Sequence, residues 1–357
     1  MIFAADSANS IVYSTNVETG EVREAYIGDK IGRMAYLDNE LFVTVLTDSQ
    51  SLYWLQEGPN GMIAVIDTKT MELKEKIDIA IRPFNIFAGK NGYLYVTSRE
   101  PQKAYFNSYS RSTKEFMDSE LVNNECLSEY NPTLDRIYAI PIDIMPIDYK
   151  VLNVDNGKFV SSYSSAYYDS YPLAEKFKIS PDGKYLFNSS GVVFTCNENV
   201  NEDMKFAFTL DKKFTDIAFN MEENRFYTAV GGNQIYVYNY EDFSGIDTLS
   251  STGEILKLFY VDGKLCALSR SANGRPMFEV IQKVKIKYGD VNKDGRINST
   301  DIMYLKGYLL RNSAFNLDEY GLMAADVDGN GSVSSLDLTY LKRYILRRIS
   351  DFPANKK

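Results

Sequence analysis

The chain has 357 residues, 45% of them hydrophobic, and 39 Lys+Arg against 48 Asp+Glu give it a net charge of −9. That length allows more than one domain and an ample core, while the acidic balance argues against nucleic acid, which would need a basic surface. Histidine is absent, which excludes Ser-His-Asp and Cys-His nucleophile systems and imidazole metal sites but leaves carboxylate, Tyr, Lys and Arg chemistry open.

The opening "MIFAADSANS" has no basic n-region and too short an apolar stretch for a signal peptide. No apolar run in the chain approaches the roughly 18 residues of a membrane span. Three cysteines, Cys126, Cys196 and Cys266, are too sparse and too far apart for a disulfide framework.

From the N-terminus to about Gln282 the chain is β in character, with period-2 runs broken by Gly, Asn and Asp turns. Two hairpin types alternate. One is apolar, as in "AYLDNELFVTVL", "FAGKNGYLYVTS", "SEYNPTLDRIYAIP", "FKISPDGKYLFNSS", "AFNMEENRFYTAV" and "LFYVDGKLCALSR". The other is more polar, as in "IAVIDTKTMELKEKI", "YKVLNVDNGKFVSSY" and "QIYVYNYEDFSGIDTL". Two hairpins make a four-stranded sheet, and the unit returns roughly every 40 to 50 residues, the period of a propeller blade. Five units are complete; residues 1–28 lack an inner strand and residues 255–286 an outer one. The count predicts seven blades closed between the termini. Six or eight blades, or a pair of β-sandwiches, fit the same pattern, and loss of an N-terminal strand would produce the same deficit. "SPDGKYLF" and "GMIAVIDTKTMEL" resemble the YVTN-type repeats of WD40-like β-propellers, which implies the same fold.

Propellers bind through loops at the channel mouth and host many functions. Two loop stretches carry aromatic residues: "LTDSQSLYWLQEGPNG" holds Tyr53 beside the lone Trp54, and "SSYSSAYYDSYP" holds Tyr163, Tyr167, Tyr168 and Tyr171. Exposed rings of this kind suit a sugar face, and Tyr53, Trp54, Tyr167 and Tyr168 are the candidate ligand-binding residues; the alternative is that they fill packing between blades. The readings left open for this region are a module binding plant cell-wall polysaccharide or a protein, a glycosidase or lyase without histidine, and a structural propeller. Asp48, Glu57 and Asp169 lie in loops where catalytic carboxylates could stand, but nothing in the sequence fixes their separation.

Beyond this region, "GDVNKDGRINSTDIMYLKGYLLR" and "ADVDGNGSVSSLDLTYLKRYILR" repeat one layout. In the first, Asp290, Asn292, Asp294, Asn298 and Asp301 hold positions 1, 3, 5, 9 and 12 of an EF-hand-type loop, with Gly295 at the sharp turn and the Arg296 carbonyl at position 7. In the second, Asp326, Asp328, Asn330, Ser334 and Asp337 repeat the set, with Gly331 at the turn and the Ser332 carbonyl at position 7. Calcium takes six to eight oxygen ligands, so each loop is a site for one ion, two Ca2+ in all. Position 12 is Asp in both, not the longer bidentate Glu. "KVKIKY" before the first loop alternates as an extended strand, so that loop has no entering helix.

Each loop runs into a helix with one apolar stripe: Ile302, Leu305 and Leu309, then Leu338, Leu341 and Ile345. Between them "NLDEYGLMAA" is expected to be a third helix, capped by Asn316 with Glu319 three residues on.

From about Tyr288 onward this segment resembles a type I dockerin, the module that plugs cellulosomal proteins into the cohesins of a scaffoldin. The resemblance implies a small calcium-ordered three-helix domain, an extracellular location in a cellulosome, and a cohesin as partner. The family's cohesin contacts map to Ser299, Thr300, Lys306 and Arg311 in the first copy. In the second they map to Ser335, Leu336, Lys342, Arg343 and Arg347. Leu336 replaces a hydroxyl and Gly307 stands where the second copy has Arg343, so the two faces are not equivalent. The expected architecture is multidomain: an all-β β-propeller of seven blades over residues 1–285, then a small all-α calcium-binding dockerin of paired EF-hand-like loop–helix motifs over 286–357.

Overall fold

A computed structural model describes residues 1–46, 61–99, 104–122, 125–142, 148–165, 170–281 and 286–356. The chain divides into two compact units, Met1–Gln282 and Lys283–Lys357.

The first unit is a seven-bladed β-propeller. Blade 1 contains β1 (Ile2–Asp6), β2 (Ile11–Thr15) and β3 (Val22–Tyr26). Blade 2 contains β4 (Lys30–Leu37), β5 (Glu40–Leu46), β6 (Gly61–Asp67) and β7 (Glu72–Ile79). Blade 3 contains β8 (Pro83–Ala88), β9 (Tyr93–Ser98), β10 (Ala104–Ser110) and β11 (Phe116–Val122). Blades 4 to 6 follow with β12 to β23, from Cys126 to Ser250, and blade 7 contains β24 (Glu254–Val261), β25 (Lys264–Arg270) and β26 (Pro276–Ile281). Among the described residues, every sheet pairs its strands antiparallel in chain order, four strands each except the three-stranded first and last.

Local chemistry sets this meander. Three of its hairpins close on two residues that both have positive φ: Asp38-Asn39 between β4 and β5, Asn156-Gly157 in blade 4, and Asp262-Gly263 between β24 and β25. Such turns match the right-handed twist of the strands they join, and Asn, Asp and Gly tolerate them best. The second strand of a complete blade is buried on both faces, as in β5 and β9, whereas the outermost strand alternates, as in β7 and β11. Continuous apolar runs and alternating polar runs in the sequence report these two environments.

The sheets pack face to face through seven apolar clusters, one for each junction between blades. Six join consecutive blades. The seventh brings Ile2 and Val17 of blade 1 against Cys266 of blade 7, with Phe259, Val261, Phe278 and Val280 around them. The ring therefore closes between its ends, assisted by the Met1 amino group 3.9 Å from the Asp262 carboxylate. Cys126, Cys196 and Cys266 are buried thiols outside any disulfide, and burial pushes the Cys126 and Cys196 thiols up to about 12.

The second unit has α1 (Ser299–Leu309), α2 (Glu319–Ala325) and α3 (Ser335–Ile345), with 3-10 turns at Ser313–Phe315 and Pro353–Lys356. Its core is Val291, Leu305, Ala325, Val327, Leu341 and Phe352, and the remaining stripe residues Ile302, Leu309, Leu338 and Ile345 pack against it. One expected cap differs. The N-cap of α2 is Asp318, whose carboxylate accepts from the Gly321 N–H at 3.0 Å, not Asn316. Asn316 instead closes the preceding 3-10 turn in an extended conformation, which delays the helix. No helix among the described residues is long and apolar enough to cross a membrane.

Candidate calcium loops and docking helices

Each loop is organised around the last residue of its twelve. Asp301 is buried, and its Oδ1 accepts from the N–H groups of Val291 and Asn292 at 2.8 and 3.2 Å while Oδ2 accepts from Asn298 N–H at 2.8 Å. Asp337 does the same work: its Oδ1 accepts from Asp328 N–H at 3.2 Å, and its Oδ2 from the Ser334 N–H and hydroxyl at 2.8 and 3.1 Å. In both copies the position-9 side chain caps the helix while the position-12 carboxylate bonds back to it, a reciprocal capping box. A single Asp thus closes the loop and starts the helix, and it sits at the positive end of the helix dipole.

The turn positions follow the spacing. Gly295 and Gly331 have φ of +81° and +86°, and nothing lies within 4 Å of where a Cβ would be, so conformation rather than space calls for glycine there. Position 4 is left-handed in both copies as well, at Lys293 and Gly329. The N–H groups of Gly295 and Gly331 each donate to the position-1 carboxylate, at 3.0 and 2.8 Å.

The donor set fits a hard cation. In the second loop, carboxylate oxygens of Asp326, Asp328 and Asp337 lie within 4.8 Å of one another. Burial, and then repulsion from Asp337, raise the Asp328 carboxyl above its ordinary range. In the first loop the buried Asp290 Oδ1 has no hydrogen-bond partner, while its other oxygen is engaged by Gly295. An unpaired buried carboxylate oxygen is costly, and a bound cation would satisfy it. The remaining side-chain oxygens of that loop, on Asn292, Asp294 and Asn298, are within the same turn structure.

The residues expected to contact a partner divide by copy. Ser299, Lys306 and Arg311 are exposed on or after α1, and Thr300 is half-buried. Ser335, Leu336, Lys342, Arg343 and Arg347 are all exposed on or after α3. Both helices end alike: Leu310 and Leu346 cap them, and Arg311 and Arg347 follow at φ of 56° and 55°. Asn312 N–H then reaches Gly307 O and Arg348 N–H reaches Arg343 O, closing each end with the same six-residue wrap.

The helices differ one turn earlier. Gly307 is buried, and a Cβ there would meet the Phe315 ring at 2.4 Å. Phe315 lies edge-on to Tyr304 at 5.4 Å and so covers the position that Arg343 leaves open in the second copy. The sequence shows Gly307 as a departure, but the covering ring comes from beyond the helix and only the fold brings it there.

In the propeller, Tyr53, Trp54, Tyr167, Tyr168, Asp48, Glu57 and Asp169 lie outside the described residues. Of the same tyrosine-rich stretch, Tyr163 donates to Asp203 at 2.6 Å and Tyr171 stacks on Phe206 at 5.2 Å, both at the junction of blades 4 and 5.

Residues 288–346 match the family model for the dockerin type I domain. No curated protein matches the chain. Among solved structures, hydrazine synthase of Kuenenia stuttgartiensis is similar, with a TM-score of 0.59 and 12% identity over 79% of this chain and 92% of that one. At that identity the likeness is one of fold.

Proposed function

We propose that the C-terminal unit attaches this chain, with one calcium ion in each loop, to a cohesin of a scaffoldin outside the cell, and that the propeller is the cargo, a module that binds plant cell-wall polysaccharide. Dockerin type I domains bind calcium in general and occur in extracellular cellulosome components. The observation that carries the reading is the pair of in-register loops, each ending in a buried Asp that caps the helix at the position where an EF-hand-type loop places a ligand. Asp290, Asn292, Asp294, Asn298 and Asp301 with the Arg296 carbonyl would hold one ion. Asp326, Asp328, Asn330, Ser334 and Asp337 with the Ser332 carbonyl would hold the other. Calcium supplies the positive charge that lets these carboxylates crowd together, and so couples ion binding to folding of the unit.

Docking then falls to the exposed side chains of the two helix ends: Ser299, Thr300, Lys306 and Arg311, or Ser335, Leu336, Lys342, Arg343 and Arg347. The second set is the more open. The test is calorimetric binding of the full chain to a type I cohesin, with calcium and after chelation. Tight binding with calcium and none in EDTA is expected. Affinity that survives EDTA, or survives charge reversal at both Lys306 and Lys342, would overturn the docking assignment.

A further inference from the structure

The outer flank of the propeller carries a cleft of about 480 Å³ between blades 2 and 3, bounded by β7 on one side and β10 with β11 on the other. Its volume lies in the range of small-molecule sites. The floor is a closed polar network: Ser119 Oγ donates to Asn107 Oδ1 at 2.8 Å, and Asn107 Nδ2 donates to the Tyr109 hydroxyl at 3.2 Å. Tyr109 is in turn held edge-on by Phe116, with ring centres 6.0 Å apart. The walls are rings open to water, Tyr105 at 37% and Phe116 at 56% exposure. On the rim, Asp78 is exposed and its carboxylate has no ion pair or hydrogen bond among the described residues, whereas Lys114 is neutralised by Glu75 at 2.7 Å.

We propose that this cleft is a subsite for a pyranose residue of a neutral, β-linked polysaccharide. A pyranose with equatorial hydroxyls has a flat face of C–H groups, and open aromatic rings offer that face a large, rigid and weakly hydrated platform. Its edge carries neighbouring hydroxyls, for which the Asp78 carboxylate on the rim and the Ser119 hydroxyl in the floor are acceptors. The choice of a neutral polymer follows from charge. The only free ionic group among those lining the cleft is an acid, Lys114 is already paired, and the chain carries −9 overall, so a polyuronate would meet repulsion without compensation. The cleft is open to solvent rather than enclosed, so a bound sugar residue can be part of a longer chain. The assignment rests on the propeller being a polysaccharide module and names where that module binds.

The test is affinity electrophoresis of the full chain in native gels containing hydroxyethylcellulose, glucomannan, arabinoxylan or polygalacturonate. Retardation by at least one of the three neutral polymers and none by polygalacturonate is expected. Combining Tyr105→Ala with Phe116→Ala should weaken the retardation about tenfold or more, the scale of one lost stacking platform. Asp78→Asn should weaken it less, while Tyr26→Ala, which removes a 69% exposed ring from blade 1, should leave it unchanged. Thermal unfolding of each variant checks that the blades remain intact. Undiminished retardation in the folded double variant would overturn the cleft and leave the module reading standing. Retardation by polygalacturonate alone would overturn the neutral-polymer assignment, and none by any polymer would overturn cleft and module together, with cohesin binding untouched.

Discussion

At Gly307 of the first loop–helix copy the helix surface is covered by Phe315; at the corresponding turn of the second copy Arg343 stands in solvent. Around this difference almost everything else agrees: the capping boxes, the glycine turns, the buried position-12 Asp and the left-handed arginine after each helix. What the copies share is the turn and cap geometry that gathers the loop carboxylates. They differ in the surface they turn outward. On α3 and its end, Lys342, Arg343, Arg347 and Arg348 are all exposed, whereas the first copy offers Lys306 and Arg311. The second copy is the stronger match for an acidic partner surface.

Removing the ion should erase the comparison altogether. In EDTA both copies are expected to loosen, with loss of helical circular dichroism and a lower unfolding temperature for the C-terminal unit. An ion bound in either loop would contribute about 2.7 kcal/mol of stabilisation at one hundred times its Kd. Charge reversal should instead sharpen it. Lys342→Glu with Arg343→Glu is expected to weaken cohesin binding by about 100-fold, against roughly threefold or less for Lys306→Glu, both read by calorimetry. Equal losses would mean that the two faces serve alike.

Gly307→Arg would remake the first copy in the image of the second. The new Cβ displaces the Phe315 ring, and the expected cost is about 1–3 kcal/mol in a calcium-saturated thermal melt. The reciprocal Arg343→Gly should cost only about 1 kcal/mol, the propensity difference of an exposed helix position, while reducing docking. The smallest effect expected is a gain. Arg347→Gly relieves a left-handed backbone at φ 55° and should raise stability by about 0.5–1 kcal/mol while lowering cohesin affinity.

Much of this was legible along the chain because local rules decide it. Loop spacing placed the carboxylates, and the 3.6-residue stripe placed Leu305 and Leu341 in the core. The period of the hairpins gave the blades, and the deficits at both ends agree with the three-stranded first and last sheets. Local rules also misled once, at Asn316, because two cap-forming residues stood close together and a 3-10 turn took the first. What stayed hidden needs partners distant in sequence. Phe315 over Gly307 joins a turn to a helix, and the flank cleft joins Asp78 to Phe116 across two blades. Tyr105 stands between Ala104 and Phe106 and reads as core along the chain, and only the fold sets β7 beside β10 and β11 to make the cleft.

Closure of the ring has a consequence for how the propeller comes apart. Among the described residues, six of its junctions each bury nine or more residues, while the junction of blade 7 with blade 1 buries three, Ile2, Val17 and Cys266. A hoop yields at its thinnest stave. Amide exchange and proteolysis should therefore enter through β1 and β26 well before any other pair of strands, and the first opened form should be a string of blades still packed in sequence.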